Sequence, residues 1–262
     1  MIDNENKVSA NGDFSLLRQI PMVLRVRAFR LYLSNGQRLV DLWLNGGTAV
    51  LGHTPPNLLR ELKNSASRGL YAPYPHFTEG RFLKALLKLF PEYSFRIYAV
   101  PPAEVTHEKL WRPFANADSP FATEDMPVFI PVLPGIQTWR GGLPMGLCVV
   151  AAKSESYLAQ LPQNDHLSPV LLAAATRGVY DIIAAKRAKP VFPRLAKTLR
   201  EGRWQQSGIY LSLKSKPDAD EWAVLFRRFL DAGFLLPPAP FFPLILPGEL
   251  SPGEEVKLAG LL

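Results

Sequence analysis

The tripeptide Arg140-Gly141-Gly142 sets a guanidinium beside two backbone amides that no side chain shields, a combination able to hold an anion such as phosphate. No clear helix start follows it, so the phosphate signal is weak and a plain tight turn accounts for it equally. The histidines, His53, His76, His107 and His166, show no metal-ligand spacing, and with the one cysteine, Cys148, they offer no zinc site. Cys148 lies in the apolar run LCVVAA, where a thiolate is disfavoured and the residue reads as a buried small hydrophobe. No serine stands in a glycine-flanked nucleophile elbow, which argues against a serine hydrolase. The acid pairs Asp218/Asp220 and Glu254/Glu255 fall at helix starts, where carboxylates favour the helix dipole rather than general acid–base work.

Composition bounds the class. The chain has 262 residues, 47% of them hydrophobic, with a mean hydropathy of +0.01, and is long enough to bury one or two cores. Its 25 prolines imply many short elements and stiff connections. No apolar run reaches the ~20 residues that span a bilayer, since Phe234–Pro247 is interrupted by four prolines, and the polar start lacks a signal-peptide core. These readings place the protein in the cytoplasm, with no membrane partner. The net charge of +7 raises nucleic-acid binding, and the densest basic stretch is Arg177–Arg203. Its charges fall on two amphipathic helical patterns without an RNA- or DNA-binding motif, so a solvated helix face is the better reading.

The elements follow from periodicity. Leu24–Asp41 alternates on both sides of Asn35-Gly36 and predicts a hairpin whose two central turn residues need positive φ. Thr54 and Pro55 predict a helix start, with Gly69 at its end. Glu79–Phe90, capped by Thr78, has Phe82, Leu83, Leu86, Leu87 and Phe90 at helical spacing. Phe95–Val100 and Met145–Ala152 read as strands, and Pro169–Ala188 and Pro193–Gly202 as helices. Gly208–Leu213 reads as a strand. A further helix starts at Asp218 or Asp220 and ends at Gly233. Ser251 and Glu254 form a capping box for the last helix. Between them Pro101–Pro127 has no clear period and reads as loop.

Two stretches resemble a known family. RLYLSNGQRLVDLWLNGGTAVLGHTPPNLLREL (Arg30–Leu62) resembles the opening of class III aminotransferases, fold-type-I enzymes that carry pyridoxal phosphate (PLP). GGLPMGLCVVAAKSE (Gly141–Glu155) resembles the segment after their cofactor lysine, and DAGFLLPPAPFFPLILPGELSPGEE resembles their C-terminal small domain. The resemblance covers about Arg25–Val100 and Phe129–Leu262. It implies an α/β protein of reduced PLP-dependent transferase (fold type I) architecture, with a small α+β domain formed by both termini beside a truncated large domain. The corresponding divisions are residues 1–75, 76–175 and 176–262. An ungapped reading puts Gln137 where the lysine belongs, and an amide cannot form a Schiff base. Only 29 residues separate Tyr98 from Val128, and they show no phosphate cup and no strand before Asp118 or Asp125 to present a ring-pairing acid. The resemblance therefore implies a non-catalytic homologue without PLP, binding a protein or a small metabolite. An active PLP-dependent transaminase and a nucleic-acid-binding protein using residues 177–203 are the alternatives.

The same resemblance places Trp43, Asn45, Tyr71 and Tyr74 near a partner's active site, and His53 near the dimer contact. Trp43, His53 and Tyr74 become candidate interface residues. Asn45, His53, Arg140, Gly141 and Gly142 become candidate ligand contacts. The plain alternatives are core packing for the aromatics and a turn-fixing role for His53. With much of the large domain missing, Phe82–Phe90 and Phe234–Leu246 are expected to need a second copy to cover them, which predicts a homodimer.

Overall fold

The computed structural model describes residues 14–69, 74–103, 110–115, 128–129, 138–140, 143–185 and 192–262. It opens with a short 3-10 helix, Phe14–Gln19, and an antiparallel meander of β1 (Val23–Arg27), β2 (Arg30–Leu33) and β3 (Arg38–Asp41). The expected single hairpin is therefore two turns, the first at Ala28-Phe29. At the second turn Gly36 N–H donates to Leu33 O at 3.1 Å. Gly36 has φ +81° and Asn35 does not share the left-handed conformation. This is a three-residue loop with one glycine in that region, rather than the two-residue turn that Asn-Gly suggests.

Helix α1 (Pro56–Ala66) starts one residue later than expected. Thr54 does not cap it, because its Oγ1 accepts from Ala28 N–H at 3.3 Å and ties the first hairpin turn instead. Helix α2 (Phe77–Leu89) starts earlier than Glu79, and its cap is His76, whose ring accepts from Thr78 N–H. Phe82, Ala85, Leu86 and Leu89 are buried on one stripe, while Leu87 is exposed. Strand β4 (Ser94–Tyr98), β5 (Val128–Phe129), the hairpin β6 (Thr138–Arg140) and β7 (Leu143–Met145), and β8 (Cys148–Ala152) follow. The expected strand Met145–Ala152 is thus divided between β7 and β8. A short helix, α3 (Glu155–Ala159), leads to α4 (Pro169–Ala185), and α5 (Pro193–Glu201) comes next. Strand β9 (Trp204–Ser207), concealed in the sequence by its polar Gln205-Gln206-Ser207, pairs with β10 (Tyr210–Leu213). Then come α6 (Ala219–Asp231), β11 (Phe234–Leu235), β12 (Leu244–Ile245) and α7 (Pro252–Leu261). The expected capping box of Ser251 with Glu254 is present, and Asp218, one of the two expected starts of α6, forms a second with Glu221.

Three hydrophobic clusters organise these elements. The first draws on both ends of the chain, joining Leu31–Val50 to Leu195–Leu258 around Trp204, Trp222, Phe226, Phe229 and Phe234. Its sheet has the order β1-β2-β3-β11, and the late strand β11 runs parallel to β3, with Leu235 opposite Asp41. The second cluster packs α2 and α4 against one face of β4–β8 through Phe95, Ile97, Val149 and Ala151. Ala174, Ala175 and Gly178 are buried on α4, and side chains this small let α1 and α2 approach its backbone closely. The opposite face of β4–β8, with Tyr98, Cys148, Val150 and Ala152, forms the third cluster with Trp139, Leu158 and Phe242. Strand β8 is covered on both faces, and this explains its unbroken apolar sequence. Burial pushes the Cys148 thiol up, and the charge of Asp165 pushes it in the same direction.

The faces expected to need a second copy are already covered within the chain. Phe82, Leu86, Phe90, Phe234, Leu236 and Leu246 are all buried here. Both ends of the chain are also tied by charge. Arg30 donates through Nε and Nη2 to the Glu254 carboxylate, at 3.1 and 2.7 Å, and through Nη1 to Glu249 at 2.7 Å. Arg38 adds a contact to Glu254 at 3.2 Å. Burial raises the Glu254 pKa. The Arg30 hydrogen bonds and charge, with the Ser251 hydrogen bonds, more than reverse this and hold the carboxyl at about 2. Its folded value lies below the ordinary 4.5, so its stabilisation is complete above 4.5 and is lost as pH falls towards about 2. Glu254→Gln is expected to cost about 2 kcal/mol at neutral pH. Its melting temperature should also fall less steeply than the parent's over that acid window, as read by circular dichroism.

Candidate functional site

The residues singled out on the N-terminal segment converge on one carboxylate. Asp41 ends β3 and is 2% exposed. Its Oδ1 accepts from the N–H groups of Trp43 and Leu44 at 2.8 and 2.9 Å, and His53 Nε2 lies 2.9 Å from its Oδ2. The aspartate thereby turns the chain sharply out of the strand, as this short side chain does when it bonds backbone two and three residues on. His53 is fixed a second time, its N–H donating to Ala28 O at 2.7 Å. These contacts fit the turn-fixing role for His53, whose imidazole serves the buried carboxylate.

The turn so held is strained. Leu44, Asn45, Gly46 and Gly47 run consecutively at φ +47°, +49°, +66° and +99°. Two of them are non-glycine residues in the left-handed region, where each costs roughly 1–3 kcal/mol and must be over-determined by its surroundings. Asn45 is held through Nδ2, which donates to Thr48 Oγ1 at 2.8 Å, and through its carbonyl, which accepts Trp139 Nε1–H at 2.8 Å. The Trp139 indole packs against Gly46 so closely that a Cβ there would collide with its Cζ2 and Cε2 atoms. Phe242 meets Trp139 edge-on at 5.0 Å between centroids and Trp43 at 6.3 Å, and Phe14 flanks Trp43 at 6.0 Å. Among the described residues, the buried Trp43 indole N–H has no hydrogen-bond partner.

Of the candidates, Trp43, Asn45 and His53 are brought together here. Tyr74 is 68% exposed just before α2, and no described contact joins it to the others. The backbone of Arg140 pairs in the β6–β7 hairpin with Leu143. Gln137, Gly141, Gly142, Tyr71, Asp118 and Asp125 lie outside the described residues. Sequence reasoning passed over Asp41 and Trp139. The signal for Asp41 was an aspartate two residues ahead of Trp43, at the end of an alternating run. Nothing near Trp139 marks it, since its partner Asn45 is distant in sequence. Elsewhere Arg112 is drawn in against the first cluster beside buried Tyr210. Burial lowers the Arg112 pKa, and burial raises that of Tyr210, whose hydroxyl donates to Pro113 O at 2.8 Å. Among the described residues, no three His, Cys, Asp or Glu side chains gather to hold a metal, and no helix is long and apolar enough to cross a membrane.

Known structures share this architecture. Ornithine aminotransferase of Plasmodium Yoelii superposes with a TM-score of 0.66 at 10% identity, over 92% of this chain and 92% of that one. Glutamate-1-semialdehyde aminomutase of Pseudomonas aeruginosa PAO1 gives 0.64 at 12% identity, over 92% and 86%. Acetylornithine aminotransferase of Elizabethkingia anophelis gives 0.60 at 12%, over 92% and 92%. The chain therefore has the α/β PLP-dependent transferase fold that the resemblance implied, and is aminotransferase-like in architecture. No protein-family model matches it. In sequence it is similar to an uncharacterized protein of Treponema pallidum (strain Nichols), 26% identical over 88% of this chain and 91% of that one. A Borreliella burgdorferi protein, also uncharacterized, matches at 37% over 32% of this chain and 33% of its own.

The strained turn gives a graded test. Gly36→Ala meets only the penalty of its left-handed backbone, since nothing lies within 4 Å of the added methyl, and should cost about 1 kcal/mol. Gly46→Ala adds a collision with the Trp139 ring and should cost roughly 3 kcal/mol. Urea unfolding of the two variants measures the difference.

Proposed function

We propose that this protein is a non-catalytic, homodimeric binding protein built on the aminotransferase-like fold. One observation carries the reading: every lysine among the described residues is exposed to solvent. A Schiff-base lysine reacts as the neutral amine, and a protein obtains that form near neutral pH by burying the group or setting another cation beside it. Lys153, which follows the buried strand β8, pairs instead with Glu92 at 3.1 Å. The described residues thus do not fit covalently held PLP, and Gln137 in the aligned position points the same way. The strained turn is packed for rigidity, with Trp139 and Phe242 closing over Gly46 where a flexible catalytic loop would need room.

Other observations support the partner assignments. Within the basic stretch, Arg177 pairs with Asp181. Arg194 donates its backbone N–H to Glu255 and its guanidinium to Pro252 O. The first pair lies within α4 and the second ties α5 to α7, which favours a structural use of this charge over nucleic-acid binding. The homodimer is supported by exposed apolar side chains at the start of the edge strand β1, where Leu24 is 66% exposed and Met22, just before the strand, is 72% exposed. An unpaired edge strand bearing such residues invites pairing with another chain.

Two measurements test this reading. After incubation with PLP, borohydride reduction and peptide mapping, no single lysine should carry a stoichiometric pyridoxyl group. One that did would overturn the non-catalytic assignment. Light scattering at low micromolar concentration should give twice the 29.2 kDa chain mass. Met22→Glu with Leu24→Glu should return it to the monomer value, whereas a parent protein that is a stable monomer would remove the dimer.

A further inference from the structure

A cavity of about 430 Å³ opens between α1, α2 and α4 and shares no residue with the strained turn. Its volume falls within the ~300–1,000 Å³ typical of small-molecule sites. The floor is apolar, formed by Val170 and Ala173 on the first turns of α4, and two aromatic side chains, Phe77 and Tyr180, stand on its walls. Phe77 is 55% exposed at the first position of α2. A large apolar ring left in water beside a concave apolar floor is a surface prepared for an apolar body.

The charge on this cavity is predominantly positive, with Arg68, Arg81, Lys84 and Arg177 against the one carboxylate of Glu61. Arg81 and Lys84 line it from α2, and at i+4 and i+7 from Phe77 they lie on the same helix stripe. Among the described residues neither makes an ion pair with a carboxylate. Arg81 rests its guanidinium over the Phe77 ring, 4.5 Å from the centroid, which leaves its N–H donors at the edge of that ring. One turn further along, Lys88 lies 5.2 Å from the Tyr180 centroid. Three other charged side chains, Glu61, Arg68 and Arg177, stand on the wall. Arg177 is paired with Asp181, and Glu61 accepts the Ser65 hydroxyl at 3.3 Å. An occupant must therefore bring its own negative charge to Arg81 and Lys84 and its own apolar surface to the floor.

We propose that this cavity binds a small aromatic anion, a ring carrying a phosphate or carboxylate group. The ring lies on Val170 and Ala173 beside Phe77 and Tyr180, and the oxyanion is held by Arg81 and Lys84. A guanidinium and an ammonium together suit such a group, the first through its planar fork and the second as a compact point charge. The proposal rests on the cavity alone and stands whatever borohydride labelling shows.

Isothermal titration of the full chain with phenyl phosphate and with benzoate tests it, against inorganic phosphate and benzyl alcohol as probes carrying only one half of the chemistry. At least one aromatic anion should saturate with a Kd on the order of 0.1 mM. Inorganic phosphate and benzyl alcohol should each bind about tenfold more weakly or worse. Arg81→Ala with Lys84→Ala should weaken the aromatic anion at least about tenfold. Both residues are exposed, so their loss should leave the circular dichroism spectrum intact. Phe77→Ala should weaken it too, and Lys257→Ala, on α7, should not. No saturable binding by either aromatic anion would overturn the proposal. Equal affinity for inorganic phosphate, or binding indifferent to the Arg81/Lys84 change, would overturn it as well. A halving of the solution mass on Arg81→Glu with Lys84→Glu would assign the face to a second copy of the chain and overturn it equally.

Discussion

The Asp41 carboxylate is the constraint on which the N-terminal half of the structure depends. It is buried, it ends the strand that receives the late strand β11, and it takes hydrogen bonds from two backbone amides and one imidazole. A buried carboxylate is tolerable only when hydrogen-bond donors surround it. Two of those groups are the amides of residues that must leave the strand abruptly, so satisfying the carboxylate and making the turn are one event. The left-handed run Leu44–Gly47 follows from that geometry, and the Trp139 indole locks it from a hairpin far along the chain. Without the carboxylate, the amides of Trp43 and Leu44 and the His53 ring would lose their shared acceptor, and the strain of the turn would be released.

A second dependence links the two ends of the chain. The first cluster cannot close until β11 and β12 return to the N-terminal meander, where Leu42 N–H donates to Leu235 O and Ile245 N–H donates to Leu42 O. The Arg30–Glu254 pair fixes the same closure from the surface, and Glu254 serves twice, as ion-pair partner and as the second half of the α7 capping box. Strand β8 then acts as a shared wall. Its odd and even residues face different clusters, so helices α2 and α4 on one side and the aromatic group around Trp139 on the other are held at a set distance.

The functional reading follows from what this framework leaves free. The turn near Asp41 is filled and rigid, and its polar groups are largely consumed in holding it. The cavity between α1, α2 and α4 has the opposite character, with an apolar floor and unneutralised cations. The cavity lies on helix surfaces of the second cluster, away from the turn that carries the familiar residue pattern.

Local patterns in the sequence determined the capping boxes at Asp218 and Ser251, the buried stripe of α2, the buried strand around Cys148 and the architecture as a whole. These depend on spacing within a few residues, or on a motif order that spans the chain. Element starts at Thr54 and Thr78 were misread because each hydroxyl had a competing use, Thr54 toward Ala28 and Thr78 beside the His76 ring. Strand β9 stayed hidden because its outward side chains are polar. What only the tertiary structure decided was long-range pairing: His53 with Asp41, Trp139 with Asn45 and Gly46, Arg30 with Glu254, and the cavity assembled from α1, α2 and α4. It also decided that both apolar runs are covered within a single chain, Phe82–Phe90 against α4 and the β4–β8 strands and Phe234–Leu246 largely against the N-terminal meander. Residue spacing records which faces must be buried, but the partner that buries them is set by chain closure, and no local pattern carries that information.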